Sequence, residues 1–363
     1  MRDSVNIYFV ETEESEHRLF AENFKQHEVH FVSDLSEVGV NAEVLSVSFG
    51  SVLRSSFLDQ HQSLKLVTTR SSGYDHIDLA ECQPRGISVC FVPSYGDHTV
   101  AEHTFALILA LSRRTREARE KCKRGSFSYR GTRGFDLKGK TLGVIGAGKI
   151  GLHVIRLAKA FEMEVLAYDI CQQSQLQDVF GFRYVPLDEL QRRSDIISLH
   201  APLTPATYHL LNREAFCNCR HGVLIINTAR GHLIDTDALI EALDDGTVAG
   251  AGLDVIEEER VMTYRWSTVV TEGIIDRMHS SSSGEEAPIQ RPERIAELQL
   301  LMHNADLIAR PNVVFTPHIA FNSVESVARI NQITIDNICA FLAGKPINVA
   351  GKAAAPQHAN HHV

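Results

Sequence analysis

Short apolar runs alternate with helical segments along most of this chain, a pattern that predicts βα units and parallel sheets. Each run is too short for a helix and is bounded by polar or glycine-containing residues. In the first part of the chain the predicted strands are 5–10, 29–32, 44–49, 64–68 and 87–92. In the second part they are 142–145, 164–169, 196–199, 223–227, 249–255 and 313–315.

Longer periodic segments between these strands predict the helices. They are expected over 12–24, 99–117, 150–161, 235–243, 292–308 and 324–342. The segment 260–290 interrupts this alternation and contains the run Ser280-Ser-Ser-Ser-Gly-Glu-Glu286, which we interpret as a mobile surface excursion. Because it begins directly after the acidic residues Glu257-Glu-Glu259, at the end of a predicted strand, a lid or an altered substrate pocket is the alternative interpretation.

A glycine-rich turn stands where one predicted strand meets one predicted helix. Gly146, Gly148 and Gly151 form G-x-G-x-x-G, and Lys149 and Ile150 open the helix. The three glycines permit a tight turn, close approach of a pyrophosphate and close packing of helix on strand. The amides at the helix start would hold the phosphates.

The next predicted strand ends in Asp169, at the distance where a dinucleotide fingerprint needs an acid. A carboxylate there accepts hydrogen bonds from the ribose hydroxyls and repels a 2′-phosphate. The motif therefore predicts NAD as the cofactor, in preference to NADP.

Composition sets limits on the class of protein. At 363 residues, two domains are expected, and 44% apolar and 22% charged residues are ordinary for a soluble protein. A net charge of −9 argues against nucleic-acid or membrane partners. The N-terminal run is too short for a signal peptide, and no other run reaches bilayer length.

The seven cysteines lack paired spacing, so free thiols in a reducing cytoplasm are expected, without a metal site. The histidine-containing tail after residue 351 is expected to be disordered.

The alternation of strands and helices and the glycine motif together predict the α/β fold class. The prediction is two Rossmann-like domains, each a doubly wound parallel sheet, with a cleft between them. The first domain is expected to be discontinuous and flavodoxin-like, formed by residues 1–98 and 322–363, and to bind substrate. The second is the NAD-binding Rossmann domain, residues 99–321. The last helix, 324–342, is expected to return to the first domain.

Three side chains are candidates for hydride-transfer chemistry on a 2-keto acid. Arg230 follows an apolar strand, and its planar guanidinium suits bidentate binding of a carboxylate. His318, in a Thr-Pro-His sequence at a strand end, is the candidate acid, since imidazole exchanges protons near neutral pH. Glu259 is the candidate partner that would orient this histidine.

These residues and their surroundings resemble the D-2-hydroxyacid dehydrogenase family over nearly the whole chain. The motifs that carry the resemblance, in family order, are Arg70-Ser-Ser-Gly-Tyr-Asp-His-Ile-Asp78, Val92-Pro-Ser-Tyr95, Ala101-Glu-His103, the glycine motif, His200-Ala-Pro-Leu-Thr-Pro205, Asn227-Thr-Ala-Arg-Gly231, Leu253-Asp-Val255 and Thr316-Pro-His-Ile-Ala-Phe321.

The resemblance implies an Arg–Glu–His catalytic set, which Arg230, Glu259 and His318 match. Family members usually have Pro after this glutamate, whereas this chain has Arg260, so Glu257 and Glu258 stay open as alternatives. Backbone amides of Ser72 and Gly73 would hold the substrate carboxylate beside Arg230. The implied cofactor contacts, besides those of the glycine motif, come from Asp169, His200, Pro202, Thr228, Ala229, Asp254 and His318.

Within the family the chain is most similar to the D-lactate dehydrogenase branch. Tyr95, Phe321 and the run 306–312 fit that branch, and Phe49 would help to enclose the substrate side chain. Plain core packing is the alternative interpretation of these aromatic residues. The resemblance therefore implies reduction of a pyruvate-like 2-keto acid, and a homodimer formed through the helix after Thr99.

Two other functions stay open. One is reduction of glyoxylate, hydroxypyruvate or a larger 2-keto acid by the same mechanism. The other is an NAD(H)-sensing transcriptional corepressor, which would share the fold and the catalytic set.

Overall fold

The computed structural model describes residues 4–259 and 292–351, and side chains of its penultimate helix from residue 299 onward. The interpretations of the 260–290 excursion and of the histidine-containing tail lie outside the described residues. The chain divides into two compact units: the first ends at Tyr95 and resumes at Ser323, and the second runs from Gly96 to Asn322.

The first unit contains a sheet of five parallel strands in the order β2-β1-β3-β4-β5. This is the flavodoxin-like order of a doubly wound sheet. Its strands are β1 Asn6–Val10, β2 Glu28–Val32, β3 Val44–Val47, β4 Leu66–Thr69 and β5 Ser88–Cys90. Its helices are α1 Glu14–Asn23, α2 Ser55–Gln60, α3 Leu79–Cys82 and, after the second unit, α12 Val324–Leu342, with a 3-10 turn at Leu35–Glu37.

Helix α12 packs on the sheet of the first unit. Its Ile335 and Ile338 belong to the same buried cluster as Ile7 and Phe9 of β1. Phe9 also stacks on Phe20 of α1, with ring centroids 4.2 Å apart. Burial of these side chains stabilises the unit by about 1.5–3 kcal/mol for each fully buried residue.

Within its described residues the second unit contains seven parallel strands in the order β12-β11-β10-β9-β6-β7-β8. The strands are β6 Thr141–Ile145, β7 Glu164–Tyr168, β8 Arg183–Tyr184, β9 Ile196–Leu199, β10 Val223–Asn227, β11 Val248–Leu253 and β12 Val313–Phe315. The helices are α4 Asp97–Ser112, α5 Thr115–Lys123, α6 Lys149–Ala160, α7 Ser174–Phe180, α8 Leu187–Arg193, α9 Arg213–Asn218, α10 Thr236–Asp244 and α11 Pro292–Ala309, with a 3-10 turn at Gly231–Leu233.

The strand order of the second unit reverses at β6, which lies between β7 and β9. Ligands of open α/β sheets bind at such a switch point, beyond the carboxyl ends of the strands. The glycine motif begins at this point. The predicted α/β class with two parallel sheets is confirmed.

The single helix predicted over 99–117 is wrong. The chain forms two helices, α4 and α5, and Arg114 between them has left-handed backbone with φ 51°. The Ser112 carbonyl accepts a hydrogen bond from the Phe135 amide at 2.9 Å, and Gly134 lies so close that a Cβ would be 2.1 Å from that carbonyl oxygen. Tertiary contact with a returning segment therefore ends the helix.

Two further observations concern the thiols and the possibility of membrane-spanning helices. All seven cysteines are free. Among the helices that the structure describes, none is long and apolar enough to cross a bilayer.

Candidate active site

The turn from β6 into α6 needs glycine at two positions for packing reasons. Gly146 has φ 97°, and a Cβ there would lie 2.7 Å from the Ala201 amide. A Cβ on Gly151 would lie 2.0 Å from the Gly146 carbonyl oxygen. The turn therefore fits closely against the end of β9 and against the first turn of α6.

Gly148 differs from the other two glycines because a Cβ on it would meet nothing within 4 Å. Its side faces open space at the start of α6, where Lys149 and Ile150 form the first turn. A pyrophosphate can come close to the backbone at a helix N-terminus only where no side chain is in the way, and Gly148 meets this requirement.

Asp169 follows β7 directly and closes the same turn. Its Oδ2 accepts a hydrogen bond from the Ala147 amide at 2.7 Å, and its Oδ1 accepts one from the Cys171 amide at 2.7 Å. A carboxylate has about four acceptor sites, so capacity for ribose hydroxyls remains. The residues of this turn thus fit a dinucleotide.

His200 lies at the end of β9, beside the glycine turn. Its Nε2 is 2.8 Å from the Ser198 hydroxyl. Desolvation lowers the pKa of His200 to about 3, so this imidazole is neutral at physiological pH. Pro202 follows on an exposed stretch of the chain.

The candidate catalytic residues follow three neighbouring strands. Asn227, the last residue of β10, pairs with Leu253 of β11, and Leu253 pairs with Phe315 of β12. The strand ends are therefore level, and Arg230, Glu259 and His318 come shortly after them. A Cβ on Gly231 would lie 2.1 Å from the Ile256 carbonyl, so the loops after β10 and β11 touch.

Buried Asn227 shapes the turn that carries Arg230. Its Nδ2 donates to the Arg230 carbonyl at 2.9 Å, and its Oδ1 accepts from the Ala229 amide at 3.0 Å. The Arg230 Nη1 donates to the Ala229 carbonyl at 2.8 Å. Thr228, in the same turn, has its hydroxyl 3.0 Å from that of Thr104 in α4.

The His318 imidazole lies against the Glu259 carboxylate. Nδ1 of His318 and Oε1 of Glu259 are 2.7 Å apart, and both side chains are about one-fifth exposed. His318 has left-handed backbone with φ 52°, which costs a non-glycine residue about 1–2 kcal/mol. Such strain is common at functional sites, where the surrounding structure maintains it.

Asp254 holds the loop that carries this strained histidine. Its carboxylate accepts from the Thr316 hydroxyl at 2.6 Å and from the amides of Ile319 and Ala320 at 2.9 and 2.8 Å. His103 of α4 adds a contact at 3.4 Å. Burial alone would raise the pKa of Asp254, but the contacts with His103, Thr316 and the two amides outweigh burial and lower this pKa.

The three consecutive glutamates after β11 have different partners. Glu259 bonds His318, whereas Glu257 is 2.7 Å from Nε2 of His209 and Glu258 is 3.3 Å from Nε2 of His232. The geometry therefore favours Glu259, among the three, as the partner of the candidate acid.

The remaining predicted substrate residues follow strands as well. Phe49, Ser72 with Gly73, and Tyr95 come after β3, β4 and β5 of the first unit. The Ser71 hydroxyl donates to the Gly73 carbonyl at 2.6 Å and fixes that turn. Phe321, in the second unit, has its ring centroid 6.4 Å from that of His318.

Three residues around the site, Asn227, His103 and His209, are not predicted from the sequence. Asn227 and His103 stand inside motifs that were noticed, so their position was a usable signal. His209 had no such signal, since it contacts Glu257 from 48 positions away. Within the described ranges, no group of three or more His, Cys, Asp or Glu side chains is arranged to hold a metal ion.

A glycine turn that fits a dinucleotide and an imidazole–carboxylate pair, both at the strand ends of one sheet, are features of NAD-dependent dehydrogenases. Residues 105–320 match the family described as D-isomer specific 2-hydroxyacid dehydrogenase, NAD binding domain. The chain belongs to the D-isomer-specific 2-hydroxyacid dehydrogenase family, is an oxidoreductase and binds NAD.

Individual relatives agree with this membership. The D-lactate dehydrogenase of Escherichia coli is 36% identical over 277 residues, covering 76% of this chain and 75% of that protein. An aromatic 2-oxoacid reductase of Clostridium sporogenes is 36% identical over 279 residues, covering 77% and 76%. The structure of D-lactate dehydrogenase from Aquifex aeolicus, complexed with NAD and lactic acid, is 35% identical with a TM-score of 0.79, covering 93% of this chain and 96% of that one.

Proposed function

We propose that this enzyme reduces a small, pyruvate-like 2-keto acid to the D-2-hydroxy acid with NADH, as a D-lactate dehydrogenase does. The contact of 2.7 Å between His318 and Glu259 is the observation that carries the mechanism. The substrate class is supported by the similarity to two D-lactate dehydrogenases.

Arg230 binds the substrate carboxylate, since a guanidinium offers two parallel N–H donors to the two oxygens. His318 donates a proton to the keto oxygen as C2 is reduced. Its Nδ1 faces Glu259, so Nε2 is the nitrogen that transfers this proton. Glu259 orients the imidazole and stabilises its protonated form.

The cofactor residues in this proposal are those of the glycine turn with Asp169. The α6 amides hold the pyrophosphate, and the Asp169 carboxylate holds the adenosine ribose. When bound, NADH supplies the hydride that reduces C2. The contacts predicted for His200, Pro202, Thr228, Ala229 and Asp254, the substrate contacts of Phe49, Ser72, Gly73, Tyr95 and Phe321, and the homodimer stay predictions.

The test is NADH oxidation, followed by absorbance, against pyruvate, phenylpyruvate, 2-ketoisocaproate, glyoxylate, hydroxypyruvate and 3-phosphohydroxypyruvate. NADPH is run in parallel. We expect the highest kcat/KM with pyruvate and NADH, and at least about tenfold lower kcat/KM with NADPH, since each 1.4 kcal/mol of charge repulsion at Asp169 is a factor of ten.

A second candidate is reduction of larger 2-keto acids, because the aromatic 2-oxoacid reductase is as similar to the chain as the Escherichia coli D-lactate dehydrogenase is. A higher kcat/KM with phenylpyruvate or 2-ketoisocaproate than with pyruvate would favour it. Tight NADH binding with no turnover of any keto acid would contradict both candidates and favour a cofactor-sensing role.

A further inference from the structure

The turn that leads from β11 to Glu259 is fixed through Glu257. This side chain is 7% exposed. Its Oε2 accepts from the Thr236 amide at 2.9 Å, and its Oε1 is 2.7 Å from Nε2 of His209. Its backbone carbonyl accepts from buried Asn304 of α11 at 2.8 Å. Separate segments of the chain therefore converge on one residue, two positions before the candidate catalytic carboxylate.

His209 is itself held firmly. Its amide donates to the His232 carbonyl at 2.8 Å, and its ring stacks on Tyr208 with centroids 4.0 Å apart. Nδ1 lies 3.9 Å from the Asp235 carboxylate, opposite Glu257. The imidazole is therefore flanked by two carboxylates and covered by an aromatic ring.

The other charged groups around His209 belong to the neighbouring loops. Glu258 lies 3.3 Å from His232, whose ring centroid is 5.9 Å from that of Tyr208. Burial, followed by the charges of Glu257, Asp235 and Glu258, raises the pKa of Tyr208. His209 is the group of this cluster that lies within hydrogen-bond distance of the buried Glu257 carboxylate, with its Nε2 at 2.7 Å.

We propose that His209 is a positioning residue of the catalytic pair: by bonding Glu257 it fixes the turn that presents Glu259 to His318. The inference depends on the proposed roles of Glu259 and His318. Glu258, between the two glutamates, has left-handed backbone with φ 48°. Loss of the His209 bond would leave Glu257 without that partner and let the turn relax. A misplacement of catalytic groups by about 1 Å can lower the rate roughly 10²-fold, so a partial relaxation should have a smaller effect.

Substitutions of His209 can separate the effect of its backbone conformation from the effect of its hydrogen bond to Glu257. His209 has φ 49°, a conformation in which Asn is also favoured. His209→Asn therefore keeps the backbone preference but is too short to reach Glu257. His209→Gln is less suited to that backbone but keeps an N–H donor at about the right reach. If the hydrogen bond to Glu257 positions the turn, His209→Asn should have lower activity and His209→Gln should keep it. If the backbone conformation at His209 is what matters, the opposite result is expected.

The measurements are kcat and KM for the best keto acid, the pH profile of kcat, and the proton NMR resonance of the His318 Nδ1–H, assigned by its absence in His318→Gln. For His209→Asn we expect kcat to fall about tenfold with KM changed less than about twofold. The pH profile of kcat should differ from that of the wild type, because the contact between Glu259 and the proposed acid His318 is weaker. The Nδ1–H resonance should move upfield, and His209→Gln should resemble the wild type.

His232→Gln is the matched control, since this histidine contacts exposed Glu258 and not Glu257. Wild-type kcat, pH profile and resonance in His209→Asn would overturn the inference, as would an equal defect in His209→Gln. Glu259→Gln separates the two proposals. If it keeps full activity, the proposed function fails, while the NMR resonance still reports whether His209 positions Glu259 against His318.

Discussion

The seven-stranded sheet carries two kinds of site along one row of strand ends. After β6 and β7 the groups proposed to bind the cofactor are backbone amides, an open glycine and one carboxylate, Asp169. After β10, β11 and β12 they are the side chains Arg230, Glu259 and His318. The first site is formed by one continuous βαβ segment. The second is assembled from three loops that are far apart in sequence.

The two sites are stabilised differently for this reason. Backbone amides at a helix start are positioned by the helix itself, so the glycine turn needs little besides close packing. Long side chains on loops must be held by other residues. Buried Asn227, Asp254 and Glu257 do this in the loops after β10, β12 and β11, respectively. Each of the three loops of the proposed catalytic site is thus fixed by a buried polar side chain.

The largest expected effect is at the side-chain site. His318→Gln removes the proposed proton donor and should lower kcat/KM about 10³-fold, within the range for a general acid. The thermal unfolding midpoint Tm should change little. His303→Gln is the control, because it also removes a histidine that pairs with a carboxylate, here Asp237, but on the exposed surface of α11. A loss of less than about tenfold for His318→Gln would contradict the assigned role.

The next effect concerns the carboxylate anchor. Arg230→Lys keeps the charge but not the planar pair of donors, so we expect kcat/KM to fall about 10²-fold, mostly through KM. Arg213→Lys, at an exposed ion pair with Glu241 on the same unit, should leave the kinetics unchanged. Equal kinetics for Arg230→Lys and the wild type would exclude bidentate binding by Arg230.

A smaller effect is expected from the buried carboxylate that holds the His318 loop. Asp254→Asn should lower the free energy of unfolding at pH 7 by about 2 kcal/mol, because hydrogen bonds to a buried charged acceptor are lost. The native pKa of Asp254 is lowered, so its stabilisation is present above the ordinary Asp value of about 3.9 and is lost as pH falls through the native value.

Urea unfolding at pH 7, 5, 4 and 3 tests this prediction. The difference between wild type and Asp254→Asn should shrink at the acid end of the series. Asp245→Asn is the exposed control, since the pKa of Asp245 is also lowered, in this case by bonds from Thr247. A difference between wild type and Asp254→Asn that stays constant with pH would show that the carboxylate charge is not the stabilising feature.

The smallest expected effects are at the glycine turn, where two substitutions should affect NADH binding and folding stability separately. Gly148→Ala should weaken NADH binding about tenfold, or 1.4 kcal/mol, because the methyl group enters open space near the pyrophosphate. Its Tm should stay close to that of the wild type. Gly151→Ala should instead lower the Tm, since its Cβ would lie 2.0 Å from the Gly146 carbonyl oxygen. Titration of NADH fluorescence and thermal unfolding measure the two quantities; unchanged NADH affinity in Gly148→Ala would contradict this placement of the pyrophosphate.

Much of the fold was predictable because its signals are local. The strands Ile196–Leu199, Val223–Asn227 and Val313–Phe315 lie where apolar runs predicted them. The end of α4 was not predictable, since the Ser112 carbonyl is taken by Phe135. The two-residue strand β8 was missed as well, because so short a strand has no periodicity to detect.

The sequence by itself determined the fold class, the family and the glycine turn with its acid, since each depends on residues close together in the chain. The sequence also identified Arg230 and His318 as candidates, through the motifs around them. The tertiary structure favoured Glu259 over Glu257 and Glu258 through its contact with His318, and only the tertiary structure joined His209 to Glu257. Adjacent glutamates look alike in sequence, and their partners come from separate loops, so the choice is made where the strand ends meet in space.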